Sequence, residues 1–74
     1  MTFHNIAIIA GRKNGWPMLK YDEVLKKAIY QQPDGTYSVH SVDIGRQSLY
    51  WGRYGHPTIF QALLTLNSNT KDIQ

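Results

Sequence analysis

A chain of 74 residues without a single cysteine has to hold its fold together by packing alone. Disulfide frameworks, thiolate zinc sites and cysteine nucleophiles are all closed to it. A core of this size typically supplies only about 3–5 kcal/mol, so natural domains this short often add a metal or a partner. Metal ligands are poorly placed. His4, His40 and His56 stand far apart, with no i, i+3 or i, i+4 pair of the kind that holds zinc. No metal or other cofactor is therefore expected. A homodimer, docking onto a larger partner and a well-packed monomer all remain open, the last because two tryptophans, two phenylalanines and five tyrosines offer ample core material.

Residues 1–74 read as a single small domain, with no internal repeat, low-complexity tract or linker. Apolar residues at 42% and charged ones at 18% fit neither a disordered polyelectrolyte nor a membrane protein. The longest apolar run, Ile6 to Ala10, is far short of the ~20 residues a membrane span requires. No secretory leader is expected, and the chain reads as cytoplasmic.

Turn signals divide the sequence. Ile6-Ala7-Ile8-Ile9 suits a strand buried on both faces, so Thr2 to Ala10 is expected to be extended, ending at Gly11. Gly11 to Pro17, with two glycines and an Asn-Gly pair, reads as a loop. Asp22 can cap a helix with Val24, Leu25, Ala28 and Ile29 on one face, Lys26 and Lys27 on the wet side, and a Glu23–Lys27 pair. Pro33-Asp34-Gly35 stops it. A hairpin follows. Tyr37 and Val39 share one face and Val42 and Ile44 the other, which predicts a bulge near Ser41. Gly45-Arg46-Gln47 turns the chain into a strand from Ser48 to Tyr54, with Leu49, Trp51 and Arg53 on one side and Tyr50 and Tyr54 on the other. Gly55-His56-Pro57 breaks that strand. Thr58 and Gln61 then form a capping box before an amphipathic helix carrying Ile59, Leu63 and Leu66. Asn67 to Thr70 ends the helix, and Lys71 to Gln74 is expected to fray.

The sum is an α+β fold, a small antiparallel sheet packed by one or two helices in the order β-α-β-β-α. An alternative parsing ends the first helix early and makes Ala28 to Gln32 a strand, so that the C-terminal part becomes β-β-β-α.

Eight lysines and arginines against five acids leave a net charge of +3. Arg12, Lys13, Lys20, Lys26, Lys27, Arg46, Arg53 and Lys71 are dispersed, with no block of like charge. A moderately basic folded domain is compatible with nucleic acid, where each neutralised phosphate releases counterions. It is equally compatible with a solvated surface that serves solubility.

Under the second parsing, three features fall into a familiar order. They are Gly35-Thr36-Tyr37, Gly45-Arg46, and Trp51-Gly52-Arg53-Tyr54 followed by a helix from Thr58 through Ala62. In this order residues 28–66 resemble the three-stranded-sheet DNA-binding domain of phage and transposon integrases, whose fold plant ethylene-response factors share. That resemblance implies duplex DNA as the partner, with the sheet lying in the major groove. It places Arg46 on a phosphate and the planar fork of Arg53 on guanine. Tyr37 and Tyr50 would contact phosphates or bases, and Lys26, Lys27, Arg12 and Lys13 would add backbone affinity.

Other constellations carry less. Ser38, Ser41, His40 and Asp43 contain the residue types of a hydrolytic triad, but on one strand nothing makes them converge. His56 before Pro57 reads as a turn or cap residue. Gly11 to Gly15 is a glycine-bounded basic segment without the ending of a nucleotide loop. No enzyme is expected. The first functional reading is a small DNA-binding accessory or regulatory protein of a phage or mobile element. The second is an anti-defence type inhibitor or adaptor that binds a host protein through its aromatic and basic surface.

Overall fold

A computed structural model describes residues 2–67 and gives the order α-β-β-β-β-α. Helix α1 spans Phe3–Asn14, strands β1 to β4 span Met18–Asp22, Lys27–Gln31, Tyr37–Asp43 and Ser48–His56, and helix α2 spans Ile59–Leu66. The strands form an antiparallel meander in the order β1-β2-β3-β4, so the expected α+β class holds. Its C-terminal part follows the β-β-β-α parsing. The expected Lys71 to Gln74 fray and part of the helix stop at Asn67 to Thr70 lie outside the described residues.

The N-terminal third departs from the strand expected over Thr2 to Ala10. Thr2 is an N-cap, its hydroxyl oxygen accepting the Asn5 amide at 3.0 Å. Phe3, Ile6, Ala7 and Ala10 then recur at i, i+3, i+4 and i+7, which puts one apolar face on the sheet. Nor is Gly11 to Pro17 a loop throughout: Gly11 to Asn14 form the last turn of α1. The helix stops at Gly15, whose φ of 78° is left-handed backbone that glycine adopts without strain. There the Gly15 and Trp16 amides close back on the carbonyls of Arg12 and Gly11.

The helix expected after Asp22 is instead the β1–β2 hairpin. Asp22 does cap, but it caps a turn: its Oδ1 accepts the amides of Val24 and Leu25 at 3.0 and 2.8 Å. Lys26 closes that turn at a φ of 58°, and Gln47 closes the β3–β4 hairpin in the same way at 55°. The β3–β4 turn repeats the β1–β2 turn in chemistry, with Asp43 Oδ1 accepting the Arg46 amide. Lys26 pairs with Glu23 at 3.5 Å, where Lys27 was the expected partner.

The two helices pack on opposite faces of the sheet. Ile6 and Ala7 of α1 meet Ala28, Tyr30 and Val42, while Ala62 and Leu66 of α2 meet Ile29 and Val39. Alternation along β2 explains the split, since Ala28 and Tyr30 point one way and Ile29 the other. Of the α2 residues expected to face the sheet, Leu66 is buried and Leu63 partly so, whereas Ile59 is exposed; Ala62 takes its place.

The expected bulge near Ser41 is present, with the extra residue on β4. Ser41 pairs with Trp51 and Val42 with Leu49, so Tyr50 is skipped. This moves Leu49 to the α1 side and leaves Trp51 on the α2 side, correcting the shared face expected for them.

Tyr30 is the pivot of the α1 layer. Fully buried, it passes beneath the helix and donates its hydroxyl to the Ala7 carbonyl at 2.7 Å. Gly11, one turn further on, leaves the room that the ring requires. A Cβ there would stand 2.7 Å from Tyr30 Cε2 and 2.8 Å from the Trp16 carbonyl oxygen.

Candidate functional site

Helix α1 and edge strand β4 leave a groove of about 540 Å³ between them. One wall is the second half of α1 with its C-terminal cap, contributing Ile9, Ala10, Lys13 and Trp16; the other is β4, contributing Tyr50 and Tyr54. Both tyrosines are 59% exposed. Tyr50 and Tyr54, four residues apart, share this side by strand alternation while Trp51 between them packs toward α2, and the bulge brings Leu49 to the same side. Among the described residues, no aspartate or glutamate lines it.

His40 lies on the floor and is only 4% exposed. It stacks on Trp16, with ring centroids 5.2 Å apart, and meets Tyr30 and Tyr54 edge-on at 5.5 and 5.0 Å. Nδ1 lies 3.0 Å from the Trp51 carbonyl oxygen, which can only accept, so this nitrogen carries the proton. Nε2 then accepts from the Ser38 hydroxyl at 3.1 Å, and Ser38 accepts from the Gln32 amide at 2.8 Å. Burial pushes the imidazole down to about 4, with the Trp51 carbonyl opposing the change. The floor of the groove is therefore neutral at physiological pH. Gly52 makes room for the ring, since a Cβ there would stand 2.8 Å from His40 Cε1.

Ser38 and His40 thus meet, as a triad would need, but the chemistry stops there. Ser38 is fully buried, and the partner of Nδ1 is a carbonyl oxygen, not a carboxylate. Asp43 spends one oxygen on the Arg46 amide. His56 joins elements: Nδ1 donates to the Tyr37 carbonyl at 3.0 Å, and Nε2 accepts from the Thr65 hydroxyl at 2.8 Å, tying β3 and β4 to α2.

The residues singled out in the sequence divide between the two sides of the sheet. Arg12 and Lys13 are exposed in the last turn of α1, where the helix dipole favours cations, and Lys13 lines the groove together with Tyr50. Arg46 is exposed in the β3–β4 turn, next to Gln47, which also lines the groove. A loose ion pair joins Arg46 Nε to Asp43 at 3.8 Å. On the α2 side, Lys27 Nζ and Arg53 Cζ lie over Trp51, at 4.7 and 5.1 Å from its ring centroid. Lys27 is buried in a strand, not on the wet face of a helix, and Tyr37 packs half-buried against the α2 core. Lys26 is held by Glu23 and lies over the Phe3 ring at 5.0 Å.

Trp16 and Tyr54 also line the groove, although neither was among the residues singled out for binding. For Tyr54 the signal is its alternation with Tyr50 along β4; for Trp16 the sequence has none beyond its place after the helix. A second exposed feature lies on α2, where Phe60 and Leu64 are 66% and 59% exposed on a helix without a charged residue. No helix among the described residues is long and apolar enough to cross a membrane. Compared with known protein families, curated proteins and solved structures, the chain matches none.

Proposed function

We propose that this chain is a small nucleic-acid-binding accessory protein whose contact surface is the α1–β4 groove. One observation carries the reading: among the described residues, an aromatic-walled cleft has Lys13 in its wall and no lining carboxylate, with exposed Arg12 and Arg46 next in sequence to the lining residues Lys13 and Gln47. Such a cleft favours a polyanion electrostatically and offers ring faces to bases. The sheet-in-groove docking implied by the integrase resemblance needs an uncovered sheet face. With a helix packed on each face, the contact moves from the face of the ribbon to its edge.

Binding measured as a function of salt tests the reading. Three phosphate contacts, from Arg12, Lys13 and Arg46, predict a slope of about −2 in log K against log salt for a single strand. Lys13→Ala is expected to weaken binding several-fold and to reduce that slope by about 0.7. Retention independent of salt, or unchanged by Lys13→Ala, contradicts it.

A second reading, an inhibitor or adaptor that binds a host protein, is favoured by the uncharged α2 surface of Ile59, Phe60 and Leu64. A salt-tolerant protein complex lost in Phe60→Ser, with no nucleic acid retained, would replace the first reading by the second.

A further inference from the structure

The groove, taken as a nucleic-acid site, also discriminates between forms of nucleic acid. We infer that it selects single strands, with unpaired bases stacking on Tyr50 and Tyr54 and the backbone running past Lys13. The inference rests on the reading above and adds the class of ligand.

Three features of the molecule lead to it. The first is the shape of the site. One wall is helix α1 and the other is β4, which carries Tyr50 and Tyr54. An unpaired base can lay its face on those rings, whereas the bases of a duplex are stacked on one another and stay inside it. A duplex would meet the cations and leave the tyrosines unused.

The second feature is the exposure of the rings. Tyr50 and Tyr54 are both more than half exposed, although apolar surface elsewhere on this side of the sheet is covered by α1. Tyr54 is held edge-on against Trp16 at 6.0 Å and His40 at 5.0 Å, which fixes its ring without covering it. A ring pre-set in this way loses little freedom when a base stacks on it. Bases in a duplex have no free face to offer, whereas every unpaired base has one.

The third feature is charge and polarity. Lys13 is the one cation lining the cleft, and among the described residues no acid opposes it. The other polar side chains there, Asn14, Gln47, Ser48 and the two tyrosine hydroxyls, carry no charge. Stacking on ring faces beside a single cation gives tolerance of sequence and weak base preference.

The test compares a labelled oligothymidylate of about 15 nucleotides with a hairpin duplex of similar length at low salt, by fluorescence anisotropy. The expected result is at least about tenfold tighter binding of the single strand. Tyr50→Ala and Tyr54→Ala should each weaken it by about tenfold, while Tyr50→Phe and Tyr54→Phe, which keep the ring, should stay close to wild type. Because Tyr54 also packs on His40, the phenylalanine pair separates stacking from folding. Equal or tighter binding of the duplex, with both alanine variants unaffected and Lys13→Ala still impaired, overturns single-strand selection and leaves polyanion binding standing. Failure of both ligands to bind overturns the reading itself.

Discussion

Lowering the pH from 7 to 4 is expected to remove about 3 kcal/mol of folding stability, through His40 alone. The buried ring titrates near 4 in the fold, against 6.5 in the unfolded chain, because its charged form has lost water and gained only a carbonyl partner. Between those values the unfolded chain takes up a proton that the fold refuses, so stability rises with pH across this window. The contribution is complete above about 6.5 and disappears progressively as the pH falls through about 4. Converted at about 1.4 kcal/mol for each pH unit, the gap between the two values is worth about 3.5 kcal/mol in full, of which about 3 kcal/mol is lost by pH 4, where the folded ring is half protonated. Protonation at Nε2 would also remove the acceptor that the Ser38 hydroxyl uses. Chemical denaturation at a series of pH values measures the effect, and His40→Gln should abolish the slope between 6.5 and 4. A flat profile in the wild type would mean that the ring is solvated.

Gly11→Ala is expected to destabilise the fold by about 2 kcal/mol, opposite in sign to the usual helical substitution. In an open helix interior this change is worth about 1 kcal/mol of added stability. Here the new methyl group would press on a fully buried aromatic ring and on a backbone carbonyl, neither of which can swing aside. Overpacking of that kind costs about 1–3 kcal/mol or more, enough to reverse the sign. For a domain of this length the melting temperature should fall by about 10 °C. Asn5→Ala, on the exposed face of the same helix, serves as the control and should leave stability unchanged or raise it. A stabilised Gly11→Ala protein would show that α1 does not rest on Tyr30.

Two elements explain how far the fold could be read from the residues. The C-terminal hairpin and α2 were legible because their signals are local: turn chemistry at Gly45-Arg46-Gln47 and a cap at Thr58, whose hydroxyl oxygen accepts the Gln61 amide at 3.2 Å. The N-terminal third misled for opposite reasons. Ile6, Ile8 and Ile9 are strand-forming residues in a helix, whose periodic contacts with Ala28 and Tyr30 outweigh propensity. Glu23, Leu25, Lys26 and Lys27 are helix formers in a hairpin, because β2 must present Ala28 and Tyr30 to α1 and Ile29 to α2. Asp22 signals a cap in either case, and a turn satisfies it as fully as a helix.

The groove was less legible than the fold. Lys13 and Tyr50 were singled out for charge and aromaticity, and they do line one cleft. Arg53 and Tyr37 were grouped with them through the integrase resemblance, although alternation already set Arg53 beside Trp51 and opposite Tyr50, where the structure has it. The bulge moves Leu49 instead, and its position depends on pairing with β3.

Backbone amide shifts followed while an oligothymidylate is titrated into isotopically labelled protein test the groove most directly. The account predicts perturbation at Lys13, Asn14, Tyr50, Gly52 and Tyr54 and at the Trp16 indole, with Phe60 and Leu64 unmoved. Perturbation confined to α2 and the Trp51 side of the sheet, or none at any protein concentration, would contradict it.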